Sequence, residues 1–580
     1  MLGKRPAQRG FLEADHLYGP MVGQDSFYGF LASQRGKLFR DEHFAELYCA
    51  HNGRDSVPPS LCAQRTTTLL LQTYDRVSDE EAKARADFDL RWKVALGLRI
   101  EEQPFAKSTL QLFRAQLILH EKMRDVFERS LSFARETGYL KRKKVKVALD
   151  TSFILGRGAV KDTYNLLADG IVQLMRVLAR LAGENKYMWA RKHNLGRYLG
   201  RSVKGESNVD WDDVQARQAF LASVVADADH LLETARQVVD KHVPESEERQ
   251  RVTEAAALLS QLLLQDVERS AGTPQVRDGV AKDRVVSVHD PEMRHGHKSK
   301  RTLFDGHKVA IAVETESQLI TAAKVLPGNA YDGDEALELV QETETNAQVL
   351  VDESIGDCAY GDAVTRQAFA EAGRILVARV PEYVNKGLFP KQDFVIDLQR
   401  CTCRCPAGQE TANLLNKGSY RDRTGRPQRR RVFQFDPTVC AACPLRPRCV
   451  AAAPGKGRTI SLHPQEALLQ QARQLQHSPA YTAYRRLRQT AEHRLARLMQ
   501  LGVRQARYFG RKKTLAQLLL AATVANLTLV ATQMNLMRGQ AGQGSPLSSL
   551  VSSARNLFQV VLALVLPTST PSHWAFRPDL

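Results

Sequence analysis

Lys144-Val-Lys-Val-Ala-Leu-Asp150 alternates basic and apolar residues and then delivers a carboxylate. A period of two marks a strand with one buried face, so Asp150 is expected at a strand tip. A second short strand, Val349-Leu-Val-Asp-Glu-Ser-Ile-Gly-Asp357, ends in the same way and leads into Cys358-Ala-Tyr360. Asp352 and Asp362 compete with Asp357 as solvated loop acids, and the Gly356-Asp357 turn favours Asp357. Glu492 belongs to a helical stretch beginning at Tyr484, four residues after Arg488, a spacing that also suits an ordinary surface ion pair. Two strand-end aspartates and one helix glutamate on a basic chain suggest a metal-dependent enzyme acting on phosphodiesters. Hard cations such as Mg²⁺ take oxygen ligands and keep positions open for phosphate and water.

Around these acids the chain of 580 residues has room for several domains and a large core. Its formal net charge of +18 favours a polyanionic partner, nucleic acid before membrane. The N-terminal Met1-Leu-Gly-Lys-Arg5 is not followed by the apolar core of a signal peptide. The stretch Thr514 to Met534 is long enough to span a bilayer but carries Gln517, Thr523, Asn526, Thr528 and Gln533, which favours a buried helix. The run Leu557 to Leu566 is too short to cross. A soluble cytoplasmic protein without a membrane partner is the expectation.

Residues 1–140 read as helical, with a capping-box pattern at Ser78-Asp-Glu-Glu81, and suit either DNA binding or packing and dimerisation. A second helical block runs from Tyr164 to about Leu264 and separates Asp150 from the next strands. Those strands, Phe304 to Val313 and Leu319 to Leu326, form a hairpin pattern across Glu314-Thr-Glu-Ser317. An acidic helix over 332–345 and the strand bearing Asp357 follow. From about Glu382 to His463 the pattern changes to short strands, turns, cysteines and arginines. Helix is expected to return at Ser478-Pro479, as an N-cap with proline at the first helical position, and to run to Gly502.

Six of the nine cysteines fall between Cys401 and Cys449, while Cys49, Cys62 and Cys358 are expected to be packed thiols. Cys440-Ala-Ala-Cys443 has ligand spacing, and Cys449 with Cys405 would complete a tetrahedral thiolate site for structural Zn²⁺, with reduced packed thiols as the alternative. Between the two halves, Tyr420-Arg-Asp-Arg-Thr-Gly-Arg-Pro-Gln-Arg429-Arg430-Arg431 suits a loop against the DNA backbone, or a solvated one. Arg511-Lys512-Lys513 forms a second basic cluster.

Taken together, these segments resemble the DDE transposases of bacterial insertion sequences. The resemblance rests on Asp150-Thr-Ser152, Gly158 to Leu167, Asp290-Pro-Glu-Met-Arg294, Phe304-Asp-Gly-His-Lys308, Pro327 to Asp332, Asp357-Cys-Ala-Tyr-Gly-Asp362 and the tail around Arg504 to Thr514. It implies an α/β, RNase-H-like mixed sheet flanked by helices, with a helical N-terminal domain, a helical insertion and a strand-rich, cysteine-bearing insertion. The expected boundaries are 1–140 for the N-terminal domain, 141–163 and 285–395 for the first two parts of the core, and 164–284 for the helical insertion. The cysteine-bearing insertion takes 396–465, the third part of the core with its catalytic helix 466–540, and the tail 541–580.

The resemblance further implies that Asp150, Asp357 and Glu492 hold two Mg²⁺ ions, that element ends are nicked, and that their 3′-hydroxyls are joined to target DNA. Double-stranded DNA is the expected partner and a homodimer the expected form on DNA ends, in a bacterial cytoplasm at the nucleoid. Arg488, Arg429, Arg430, Arg431, Arg511, Lys512 and Lys513 are the expected DNA contacts. Relatives often carry tyrosine, arginine, glutamate and lysine at fixed spacing on the glutamate helix. Here Arg488 and Glu492 fit, Tyr484 stands one residue early, and Met499 replaces the lysine. A nuclease without strand transfer and a non-catalytic DNA-binding descendant are the alternatives.

Overall fold

The computed structural model describes residues 12–40, 43, 44, 47, 60–241, 246–269, 272–299, 301–382, 384–453 and 455–543. Cys49, the break at Val57-Pro-Pro-Ser60 apart from Ser60, the run Leu557 to Leu566 and nearly all of the expected tail lie outside them.

Six strands build the central sheet: β1 (Lys144–Leu155), β2 (Arg294–His297), β3 (Leu303–Glu314), β4 (Ile320–Pro327), β5 (Leu350–Ile355) and β6 (Ile375–Val377). β1 lies at its centre, antiparallel to β3 on one side and parallel to β5 on the other. β6 continues in parallel beyond β5, while β2 and β4 share the far edge of β3. The β3–β4 hairpin forms as its alternation predicts, and its turn is fixed by Glu314, whose carboxylate accepts from the backbone of Glu316 and Ser317. The result is a mixed α/β sheet flanked by helices, consistent with the RNase-H-like class.

Val145, Val147, Ala148 and Leu149 of β1 are buried, as are Val309 to Val313 of β3, so the middle of the sheet is covered on both faces. One cover is the long helix Arg511–Gln543, whose residues Leu518, Ala522, Ala525 and Leu527 are inaccessible. Four of the five polar residues that argued against a bilayer span, Gln517, Thr523, Asn526 and Thr528, bond within the protein. Asn526 accepts from the Ile320 backbone N–H at 2.9 Å and donates to its carbonyl at 2.8 Å, tying the helix to β4. Gln517 donates to the carbonyls of Gly502 and Gln505. Although long and apolar enough to cross a membrane, this helix has 78% of its most apolar window buried in the protein.

The N-terminal helices share this core, through Leu69, Leu70, Trp92 and Phe127 among others. Ser78 caps the helix Asp79–Phe88 by accepting from the Glu81 N–H at 3.1 Å. The helical block after β1 is different. Its helices Thr163–Leu181, Val214–Lys241 and Glu247–Asp266 enclose a separate core around Leu167, Ile171, Leu174, Val224 and Leu259. A third, small core of Phe394, Ile396, Cys403, Phe433, Phe435 and Ile460 holds the strand-rich segment.

Four expectations need correction. Asp150 does not sit at a strand tip, because β1 stays paired with β3 as far as Leu155 and leaves the carboxylate within the strand. Ser478 is not an N-cap: its hydroxyl bonds the Leu475 carbonyl and closes a preceding helix, Glu466–Gln476. The next helix, Tyr481–Leu498, starts without a side-chain cap and runs into a π turn over Met499–Val503, where Gly502 takes φ 89°. The basic segment 420–431 is not a loop but most of a hairpin, Leu414–Arg421 paired with Pro427–Gln434, whose turn is organised by the Asp422 carboxylate. Cys62 is buried as expected, but Cys358 is exposed, because it lies in a single 3₁₀ turn beside the sheet's end.

Candidate active site

Strand register brings the two aspartates together. β1 and β5 run parallel with Ala148 opposite Ile355, so Asp150 and Asp357 each lie two residues further along neighbouring chains. Adjacent strands are about 4.8 Å apart, and the two residues therefore share one level of the sheet, Asp357 just past the end of β5 and Asp150 midway along β1. Gly356 permits the turn into Asp357, since a Cβ there would meet the Tyr360 side chain at 2.7 Å. Asp352 and Asp362 are engaged elsewhere: Asp352 pairs with Lys144 at 2.8 Å, and Asp362 caps the helix Ala363–Glu371.

The third acid arrives on the Tyr481–Leu498 helix. Ala491, Arg494, Leu495 and Leu498 form its buried face, and the helix packs across β1. Alongside that face Arg488, Glu492, Leu495, Ala496 and Met499 follow helical spacing and line a cleft with Asp150 and Asp357. The cleft, of about 450 Å³, is completed by Thr151, Ser152, Phe153, His297, Lys298, Phe304, Lys308, Asp332 and Arg504. Arg488 and Glu492 do form the expected ion pair, at 2.7 Å, but the pair faces this cleft.

Burial pushes the Asp150 carboxyl up to about 7; the backbone N–H of Thr151 opposes this, and the charges of Asp357 and Glu492 add to it. The Asp357 carboxyl is raised too, first by burial and further by Asp332, against the Ala359 N–H and Arg488. Each accepts one backbone N–H at 2.8 Å, from Thr151 and Ala359 respectively. Nearby Tyr360 is fully buried, and its hydroxyl has no hydrogen-bond partner among the described residues.

Whether Mg²⁺ suits this site can be judged from its donors. All are carboxylate oxygens, the ligands Mg²⁺ prefers, and the crowded negative charge is of the kind a cation relieves. Among the described residues, no three His, Cys, Asp or Glu side chains close into a ready metal-binding group. The acids share an open cleft, with Glu492 drawn to Arg488.

Asp332 and Lys308 are cleft residues to which no role was assigned from sequence. They pair with each other at 2.7 Å, and Lys308 also donates to the Ala330 carbonyl. Their signal was weak: each is a single polar residue at the end of a motif. Tyr484, displaced by one position from the usual spacing, donates instead to Glu353 at 2.9 Å. Of the expected DNA contacts, Arg488 lies inside the cleft, Arg511 pairs with Glu292 and Lys512 with Glu121. Lys513 and Arg429, Arg430 and Arg431 are exposed. The hairpin bearing the three arginines is anchored at its tip, where Arg423 pairs with Asp334 and stacks 4.3 Å over Tyr331, beside Asp332.

Cys405, Cys440, Cys443 and Cys449 line one small hollow with Phe389, Phe435 and Arg458. The Cys449 thiol is raised by burial, with the other three close enough to add to the shift. They too fall short of a closed metal-binding group. Cys403 is buried and Cys401 exposed, and neither lines this hollow.

Comparison with known families gives two matches. Residues 404–531 match the transposase DDE domain, and residues 24–116 match a transposase domain (DUF772). The two matches support a DDE-type transposase of the insertion-sequence kind. No curated protein and no solved structure matched it. The DDE match contains Glu492 and the four cysteines but neither Asp150 nor Asp357, so their association with Glu492 rests on the geometry of the cleft.

Proposed function

We propose that this transposase cleaves the ends of its insertion sequence and joins them to target DNA, with Asp150, Asp357 and Glu492 as ligands of two Mg²⁺ ions. One observation carries the proposal. Acids from two strands and a distant helix line a single cleft on a basic chain. Bound there, Mg²⁺ would neutralise phosphoryl charge and lower the pKa of an attacking hydroxyl. The chain's own contribution is placement. Parallel register fixes Asp150 beside Asp357, burial keeps both poorly compensated and so prepared for a cation, and Arg488 holds Glu492 at the rim. Arg488 also offsets the charge of both aspartates, which suits a residue that approaches the phosphodiester.

Exposed Arg429, Arg430, Arg431 and Lys513 are proposed to follow the DNA backbone, and Arg511 and Lys512 to exchange their glutamate partners for phosphate. The four clustered cysteines are proposed to hold a structural Zn²⁺. The protein would act as a homodimer on paired ends, in the cytoplasm at the nucleoid. A joining assay separates the proposal from a nuclease or a bare DNA-binding protein. Purified protein, DNA carrying the element's ends and a supercoiled target plasmid should yield covalent end–target products in Mg²⁺. Cleaved ends without joining would favour the nuclease, and binding without cleavage the non-catalytic protein.

A further inference from the structure

The cleft holds cations among its acids. Lining it with Asp150, Asp357 and Glu492 are Lys298, from the segment just after β2, and Arg504, from the segment just after the π turn. Neither makes an ion pair with a carboxylate among the described residues, unlike Lys308, which Asp332 neutralises. Two cations in one cleft with four carboxylates, unpaired among the described residues, require an explanation.

Both are seated on one aromatic surface. Phe153 lies on β1 three residues beyond Asp150, and stacks on Phe304 with ring centroids 5.0 Å apart. The Arg504 guanidinium lies 4.2 Å from the centre of the Phe153 ring and donates to the Phe153 carbonyl at 3.3 Å. The Lys298 ammonium is 5.9 Å from the same ring. The backbone of Arg504 is fixed as well. Its carbonyl accepts from the Leu155 N–H at 3.0 Å, and the Leu155 carbonyl accepts from Ala506 at 2.9 Å, extending the edge of β1. A guanidinium held over a ring and tied to a carbonyl has less freedom left to lose, and has further donors for a bidentate acceptor.

We infer that Arg504 and Lys298, seated on Phe153, form a phosphate clamp that grips the DNA strand entering the cleft at a phosphate next to the one attacked. The inference rests on the proposed active site, because the clamp is placed relative to Asp150, but its test is read without catalysis. The ligand is a backbone phosphodiester rather than a base. The Phe153 ring already packs against Phe304 and Arg504, which makes it a poor platform for stacking a base.

The test is a scan of end DNA in which single phosphates near the cleavage point are replaced by neutral methylphosphonates, with binding measured without divalent metal. Wild-type protein should lose roughly tenfold or more in affinity at one or two adjacent positions, the cost of removing one charge-assisted hydrogen bond. Arg504→Gln and Lys298→Gln should bind unmodified DNA more weakly and be indifferent to the substitution at those positions. Arg504→Lys should recover part of the sensitivity. Lys298 is exposed, so its variant keeps the test open if Arg504→Gln fails to fold. Wild-type scan profiles in both glutamine variants would overturn the clamp. Asp150→Asn serves as the separating control. It should keep the wild-type profile while losing cleavage, whereas cleavage retained by Asp150→Asn would refute the metal site and leave the scan to judge the clamp.

Discussion

Asp150 is held where burial opposes its charge, and the consequence can be measured as stability. Its folded-state carboxyl titrates near 7, above the usual carboxylate range, chiefly because it is buried. For an acid raised in this way the contribution to folding is fullest at low pH, below its unfolded value near 4. That contribution is lost as pH rises through about 7, where the folded state must carry the buried charge. In metal-free protein Asp150→Asn should therefore raise the unfolding temperature at pH 8 and change it little at pH 4, for a stabilisation on the order of 2–4 kcal/mol. Thermal scans in chelator at both pH values check this. Some dependence should survive in the variant, since Asp357 is shifted in the same direction. An equal effect at both pH values would mean that Asp150 is not poorly compensated. The two aspartates were legible in the sequence because each closes an alternating apolar run, although β1 continues to Leu155 and leaves Asp150 within the strand. Asp332, Lys308, Lys298 and Arg504 were not, because single polar residues in loops and strand ends carry no periodic signal until the sheet brings them to one cleft.

At the scale of elements, pattern and chemistry were readable to different degrees. The β3–β4 hairpin and the long apolar helix followed from alternation and from length, and the polar residues of that helix correctly indicated burial. The start of the Glu492 helix did not follow. Ser478-Pro479 has the composition of a cap, but Ser478 is taken by the Leu475 carbonyl, a local competition that composition does not rank. The basic hairpin reads as a loop in sequence because turn formers at Asp422 to Gly425 obscure the strands on either side. That strand-rich unit has a core of only six buried side chains, so its stability should depend on the cysteines. Protein purified without chelators should contain about one zinc per chain. Chelation should accelerate amide hydrogen exchange over residues 395–462 before it affects β1 and β3. Zinc-free protein with unchanged exchange would show four reduced thiols packed without metal.

The whole molecule carries +18, and that excess is distributed unevenly. Many cations are spent on internal pairs such as Arg114 with Asp79, Arg284 with Asp266 and Lys391 with Glu466. Exposed Arg429, Arg430 and Arg431 are not, and they project from a hairpin whose tip is anchored beside the cleft. Neutralising all three should weaken binding to element ends and to unrelated DNA alike. It should also flatten the salt dependence of affinity, by roughly 0.9 in logarithmic slope for each phosphate no longer neutralised. Titrations at several salt concentrations decide it: an unchanged slope marks the arginines as solvated charge, and a loss confined to end DNA marks them as base readers. Net charge was legible from composition, but which cations remain free was not, since pairing joins residues tens to hundreds of positions apart.

The most direct test of the central claim is single-turnover cleavage of element-end DNA in Mg²⁺ by Asp150→Asn, Asp357→Asn and Glu492→Gln, with affinity for the same DNA measured in parallel. The account predicts that each variant loses cleavage by at least about a thousandfold while binding stays within a few-fold of wild type, because positioning and electrostatics supply nearly all of phosphoryl-transfer catalysis. Cleavage near the wild-type rate by any one of the three would contradict a shared metal site built from these acids.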